Sequence, residues 1–197
     1  MLTSITPLGE RARGNRWPLT VAAYLSGSVL GGATTGAVLG LLGSVVAGAL
    51  PVRVALALAA VACALAAAVD LSGRRVPGGS RQVDEDWLVR YRGWVYGLGF
   101  GYQLGLGVVT IVTSAITYVV LLMEVLVAFP LSGALIGAVF GLVRGLPVLG
   151  LAAADTPAHL HRAAARLEGL ARSAARVTVG ALALAAAALL VGVAGTS

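Results

Sequence analysis

Glu124 stands in an otherwise uncharged apolar stretch from Gly93 to Val143, apart from Arg144 just beyond it. A carboxylate inside a membrane span is costly and marks a proton, cation or substrate site by default. Its place toward the end of its stretch also leaves a second role open, that of an interfacial carboxylate reaching water. Upstream of it lie Gln103, Thr110, Thr113, Ser114 and Thr117. At about 100° per residue, Gln103, Thr110, Ser114, Thr117 and Glu124 fall on one side of a helix. Such a stripe in lipid faces protein or water, so it either lines a substrate path or hydrogen-bonds to neighbouring helices as packing glue. No HExxH pair, nucleophile elbow or phosphate loop is present, and both histidines, His159 and His161, lie outside the apolar stretches. Enzyme chemistry therefore has no motif to rest on, neither a metal site nor a cofactor site is expected, and acid–base work inside the membrane would fall to Glu124.

The elements that must position these side chains follow from composition. Of 197 residues, 58% are hydrophobic and 11% charged, against about 25% charged in soluble domains, and the mean hydropathy is +0.93. The charge-free gaps can each hold a span of about 20 residues. The reading is an all-α integral membrane protein, one transmembrane domain over residues 1–197. Its five spans are Leu19–Leu50, Val52–Val69, Val95–Ala128, Leu131–Gly150 and Val177–Ala194, with a surface amphipathic helix over Thr156–Arg176 carrying Arg162, Arg166, Arg172 and Arg176 on one side. The third span would run about 50 Å as one straight helix, longer than a bilayer core. A hinge or break at Gly105 to Gly107 is expected, covered by protein or a water-filled cavity.

The net charge of +6 comes from 14 arginines without a lysine, against eight acids. In a five-span arrangement three arginines near the amino terminus, five in the 71–94 loop and four in the 151–176 loop share one side, while the other keeps Arg53. That bias puts the amino terminus in the cytoplasm and the carboxy terminus outside, in the cell membrane. The basic charge is then explained by headgroups and orientation rather than by nucleic acid. The first apolar run exceeds a signal-peptide core and reads as a retained span. Arg144 is expected to snorkel to the cytoplasmic interface, and Asp84, Glu85 and Asp86 read as a solvated run.

Small residues recur every four positions at Gly32, Gly36 and Gly40 and again at Gly133, Gly137, Gly141 and Gly145. Such glycine-zipper faces let helix backbones approach closely, because lipid supplies no hydrophobic drive for association. The strings GAVLGLLG (from Gly36) and GAVFGLVR (from Gly137) resemble each other, as inverted repeats would, although chance in a chain rich in glycine, alanine and leucine explains the match equally well.

From Gly97 onward the order of features resembles the transmembrane domain of the DsbD/CcdA thiol-disulfide transporters of cytochrome c biogenesis. GLGFGYQLGLGVVTIVTSAITY is similar to the family's glycine-rich helix leading into a proline-cysteine motif. GAVFGLVRGLPVLGLAA resembles the next helix, and ARVTVGALALAAAALLVG the last; LSGSVLGGATTGAVLGLLG and the alanine-rich segment after it resemble the family's second and third helices. The resemblance implies a helical bundle that passes electrons between thiols. This chain departs from it where the chemistry lies: the helix carrying the first redox cysteine has no counterpart, and TIVT stands at Thr110–Thr113 where the second is expected. Thiol–disulfide exchange needs an attacking thiolate, and Cys63, the chain's single cysteine, matches neither place.

The sequence thus points to a cysteine-lacking, shortened relative acting as a small-solute transporter or membrane subunit. The alternatives are a non-transporting scaffold, or electron transfer that borrows a partner's thiols. The expected partners are the lipid bilayer and either another membrane protein or a second copy of the chain.

Overall fold

The computed structural model describes residues 5–73, 76, 87–107, 114–152 and 156–195, and every regular element among them is helical. In order these are α1 (Pro7–Ala12), α2 (Trp17–Val46), α3 (Val52–Leu71), α4 (Trp87–Arg90), α5 (Gly93–Gly105), α6 (Ile116–Leu126), α7 (Pro130–Gly145) and α8 (Pro157–Gly195), with a 3-10 turn over Leu146–Leu151 after α7. Among the described residues, four segments are long and apolar enough to cross a membrane: Trp17–Val46, Val52–Leu71, Pro130–Leu151 and Ala158–Gly195. Their outward faces carry Val38, Leu41, Leu42, Val45, Leu184 and Val191, all exposed. A soluble protein rarely leaves so much apolar surface open, whereas a lipid-facing one must.

Prolines set several boundaries. Pro18, Pro130 and Pro7 lie in the first turns of α2, α7 and α1, where the missing N–H is not needed. Thr6 caps α1 by accepting from the Gly9 N–H at 3.1 Å. The reversal between α6 and α7 is made tight by Ala128 at φ 51°, a left-handed conformation that costs an alanine about 1–2 kcal/mol.

Helix α2 is the axis of the bundle, packing mainly on α7 and α5. Its glycines form two faces. Gly27 and Gly31 lie against the carbonyls of Leu98 and Tyr102 on α5, while Gly97, Gly101 and Gly105 lie against those of Thr20, Tyr24 and Ser28 on α2. The rising numbers on both sides make α5 parallel to α2. On the other face Gly32 meets the Gly137 carbonyl, Gly36 meets that of Gly133 and Gly40 that of Phe129, so α7 runs antiparallel. Gly133, Gly137 and Gly141 reciprocate against Gly36, Gly32 and Ser28, and the Ser28 hydroxyl donates to the Gly141 carbonyl at 2.6 Å. Only a residue without Cβ permits these contacts, and dispersion between closely approached backbones holds them together in lipid. Gly145 does not meet backbone: a Cβ there would lie nearest the Leu25 side chain, at 2.9 Å.

A second unit pairs α3 with α8, and α6 bridges to it. Cys63, Ala66 and Ala67 of α3, Ala115 and Val119, and Leu182 and Ala186 of α8 form one buried apolar cluster.

The structure corrects one boundary. The amphipathic segment over 156–176 and the fifth span over 177–194 are not two helices but one, α8, of 39 residues. No proline interrupts the segment after Pro157 and alanine fills it; the high helix propensity of alanine carries the helix through the arginines. At about 1.5 Å per residue it runs close to ~58 Å, longer than a bilayer core. Its first half rests on the 3-10 turn, where the Leu167 side chain approaches Gly150.

Candidate functional site

The stretch expected to form the third span is two helices among the described residues, α5 and α6. Helix α5 stops at Gly105, and Gly107 takes φ 76°, a left-handed conformation for which glycine is suited. Residues 108–113, with Thr110 and Thr113, lie outside the described set. Helix α6 carries on along α2 in the direction α5 set: the Leu106 carbonyl lies 3.5 Å from the Thr35 hydroxyl, and Gly43 further along α2 meets the Val125 carbonyl.

A break frees backbone groups, and in an apolar surrounding each needs a partner. Side chains from two other helices supply them. Arg144 of α7 donates from Nη1 to the Gly107 carbonyl at 3.2 Å and lies over the Phe140 ring at 5.5 Å. Its guanidinium thus reaches the break. Asp70, at the end of α3, receives the Ala115 N–H on Oδ1 at 2.9 Å and the Ser114 hydroxyl on Oδ2 at 2.6 Å. Ser114 in turn accepts from the Ile116 N–H at 3.2 Å. A carboxylate on the N–H of Ala115, the residue just before α6, also faces the positive end of the helix dipole.

Glu124 is 1% exposed and does not reach water, so the interfacial role is overturned. It sits where α6 meets α2 and α7. Its Oε1 lies 3.0 Å from where a Cβ on Gly137 would stand, and its Oε2 is buried with no hydrogen-bond partner. Thr117, two turns earlier on the same face of α6, is also buried, and its methyl group lies toward Gly107.

The predicted stripe is therefore divided. Thr117 and Glu124 share one buried face of α6. Ser114 precedes that helix and is bound to Asp70 of α3, while Gln103 is half-buried on α5, before the break. The single-helix projection that aligned Gln103 with Glu124 does not hold, because the two lie on separate helices, α5 ending at Gly105 and α6 beginning at Ile116. His159 is near the start of α8, where its N–H donates to the Thr156 hydroxyl at 3.2 Å. Among the described residues no group of three or more His, Cys, Asp or Glu is placed to hold a metal ion. Asp84, Glu85 and Asp86 lie outside the described residues.

One polar centre had no counterpart in the sequence reading. Glu10, on short α1, is 0% exposed. Its Oε2 accepts from the Thr20 hydroxyl at 2.7 Å, and its Oε1 accepts from the Tyr96 hydroxyl and, at 2.5 Å, from Arg13. Asn15 extends the network, donating to the Tyr96 oxygen and accepting from the Gly93 N–H, both at 3.3 Å. The centre ties α1 to α2 and α5, beside a cluster of Ile5, Val21, Tyr24, Phe100 and Val148. Glu10 lies outside the apolar runs, among arginines, where a charge reads as solvated; the available signal was Thr6-Pro7 ahead of it, a helix start that folds α1 back on the bundle.

A further feature is an apolar groove of 480 Å³ between α6 and α7, lined by Val120, Leu135, Ile136, Val139, Phe140 and Val143. It lies beside Phe140, whose ring Arg144 covers. Comparison of the chain with protein-family models, with curated proteins and with solved structures finds no match.

Proposed function

We propose that this chain is a five-span protein of the cell membrane, amino terminus in the cytoplasm and carboxy terminus outside, that passes a small solute along the break between α5 and α6. In this reading α5 and α6 together make the third span, and the chain is a shortened DsbD/CcdA-like bundle working without that family's cysteines. The observation that carries it is the way the break is held. Among the described residues, its freed carbonyl at Gly107 and its new helix start at Ala115 are bound by side chains, Arg144 and Asp70. Side-chain partners can release and rebind without unfolding a helix, which is what a gate needs. Gln103, Thr110, Thr113, Ser114 and Thr117 would line the path, and Gly105 and Gly107 would be its hinge.

A redox role fits poorly. Cys63 is buried in the apolar cluster that α3 and α8 form with Ala115 and Val119, so electron transfer would have to rely on a partner's thiols.

Glycine packing favours a second reading, that of a scaffold or membrane subunit docking another membrane protein or a second copy. Backbones that meet at Gly32–Gly137 and Gly36–Gly133 leave no room for a solute between α2 and α7.

Thiol accessibility separates the two without knowledge of the solute. In a Cys63→Ala background, Thr117→Cys in proteoliposomes should react with a membrane-impermeant thiol reagent if a watery path reaches α6. Complete protection at that position, with the protein folded, would favour the scaffold.

A further inference from the structure

Glu124 lacks what buried carboxylates ordinarily have. Its Oε2 is buried and has no hydrogen-bond partner among the described residues, in a residue 1% exposed. An ionised carboxylate so placed is untenable in lipid, and the cost is relieved only by a counter-charge or a proton.

Among the described residues, the elements packed around α6 place no counter-charge on Glu124. Helix α2 contributes Tyr24 as its one titratable group. Helix α3 brings Cys63, set in the alanine cluster, Asp70, bound to Ser114 and Ala115, and Arg53, exposed at the start of the helix. Helix α7 brings Arg144, whose guanidinium is on the Gly107 carbonyl and the Phe140 ring. Helix α8 has no titratable side chain from Val177 to Gly195, and α6 itself adds only Tyr118. A metal cation in place of the proton would need several oxygen ligands, and no second carboxylate or other cluster of metal-ligating side chains lies there among the described residues.

We infer that Glu124 is a reversible proton-binding site, so that the solute passed along the break is coupled to protons. The inference rests on the transport reading for its second clause only; proton binding at Glu124 stands on the geometry. The carboxylate gains a proton to become the neutral acid and returns it to water, and no bond other than O–H is made or broken. The face of α6 supplies the direction of access. Thr117 is buried on the Glu124 side, about 10 Å nearer the break at two helical turns, and its methyl group lies toward Gly107. A proton entering where Ser114 and Asp70 meet has that face to follow. Gly137 keeps the carboxyl end clear, because a side chain there would stand against Oε1.

The test is an infrared pH titration of the full chain in lipid nanodiscs, following the protonated-carboxyl stretch at constant ionic strength. A component that disappears on raising the pH, is absent from Glu124→Gln and survives in Glu10→Gln is the expected result. If Glu124→Gln does not assemble, Glu124→Asp should keep a titrating component at a displaced pH. Identical titrations of the wild-type and Glu124→Gln proteins would overturn the proposal, as would a component that responds to sodium or potassium at fixed pH. Proton flux into proteoliposomes loaded with a pH-sensitive dye tests the second clause. Titration at Glu124 without flux above protein-free vesicles would leave the proton site standing and sink the coupled path.

Discussion

Arg144 donates to the carbonyl of Gly107 at 3.2 Å, joining the last turn of α7 to the left-handed residue at which α5 gives way. The bond is charge-assisted and lies in a largely apolar setting, where hydrogen bonds to charged groups contribute about 1.5–3 kcal/mol.

Arg144→Leu should therefore loosen the break by roughly that amount, while leaving the glycine contacts of α2 with α7 intact. Hydrogen exchange should rise at Leu106 and Gly107 and stay unchanged at Gly36. Arg144→Lys, which keeps the charge but loses the planar fork, should restore part of the protection. Equal exchange at Gly107 in wild type and Arg144→Leu would show that the bond does not hold the break.

The glycines divide into two classes with opposite predictions. A Cβ at Gly36 would run into the Gly133 carbonyl, whereas Gly169 and Gly180 in α8 have nothing within 4 Å. Gly36→Leu should force α2 and α7 apart, at a cost of about 1–3 kcal/mol or more, and lower the thermal midpoint in detergent. Gly169→Ala and Gly180→Ala should be neutral or stabilising by about 0.5–1 kcal/mol, since alanine is the better helix former. A stability ranking in the reverse order would contradict the packing.

How much of this was legible in the chain depends on the range of the interaction. The helix starts at Pro18 and Pro130 and the interruption at Gly105–Gly107 are local: a missing N–H and a residue tolerant of positive φ mark them wherever they occur. The four-residue recurrence at Gly133, Gly137 and Gly141 likewise states that a backbone will come close, without saying whose. The unbroken course of α8 was hidden by its arginines, which give a surface pattern at helical spacing while alanine continues the same helix beneath them. The partners of Glu10 and Asp70 were not legible. Tyr96 lies 86 positions from Glu10, and Ser114 lies 44 from Asp70; nothing at either end names the other. Glu124 was visible as an odd carboxylate, but its burial depends on how α2 and α7 meet over it.

Glu10 yields a stability prediction separate from any transport. Glu10→Ala would leave the Tyr96 and Thr20 hydroxyls without their acceptor and Arg13 without its carboxylate, at about 1–3 kcal/mol for each buried group left unpaired. Arg13 is 29% exposed and can turn to water, so the larger part of the loss should come from Tyr96 and Thr20. Limited proteolysis should then cut within the first sixteen residues of Glu10→Ala far faster than in the wild type, as α1 is released from α2 and α5. Tyr96→Phe should give a smaller effect of the same kind.

Asp70 should matter to α6 through its charge as well as its shape. Its two oxygens hold the Ser114 hydroxyl and the Ala115 N–H. Asp70→Asn keeps one acceptor for the N–H but removes the negative charge from the positive end of α6, worth about 0.3–1 kcal/mol at a helix terminus. Asp70→Ala removes both acceptors, at about 1–3 kcal/mol for each buried group left unpaired. Because α6 has only 11 residues, fraying of its first turn reaches Thr117 at once. The ordering wild type, then Asp70→Asn, then Asp70→Ala should appear in the exchange protection of Tyr118 and Val119 and, in parallel, in the thiol reactivity of Thr117→Cys. If protection falls while reactivity does not, the start of α6 is a structural cap with no path beside it, and the scaffold reading gains.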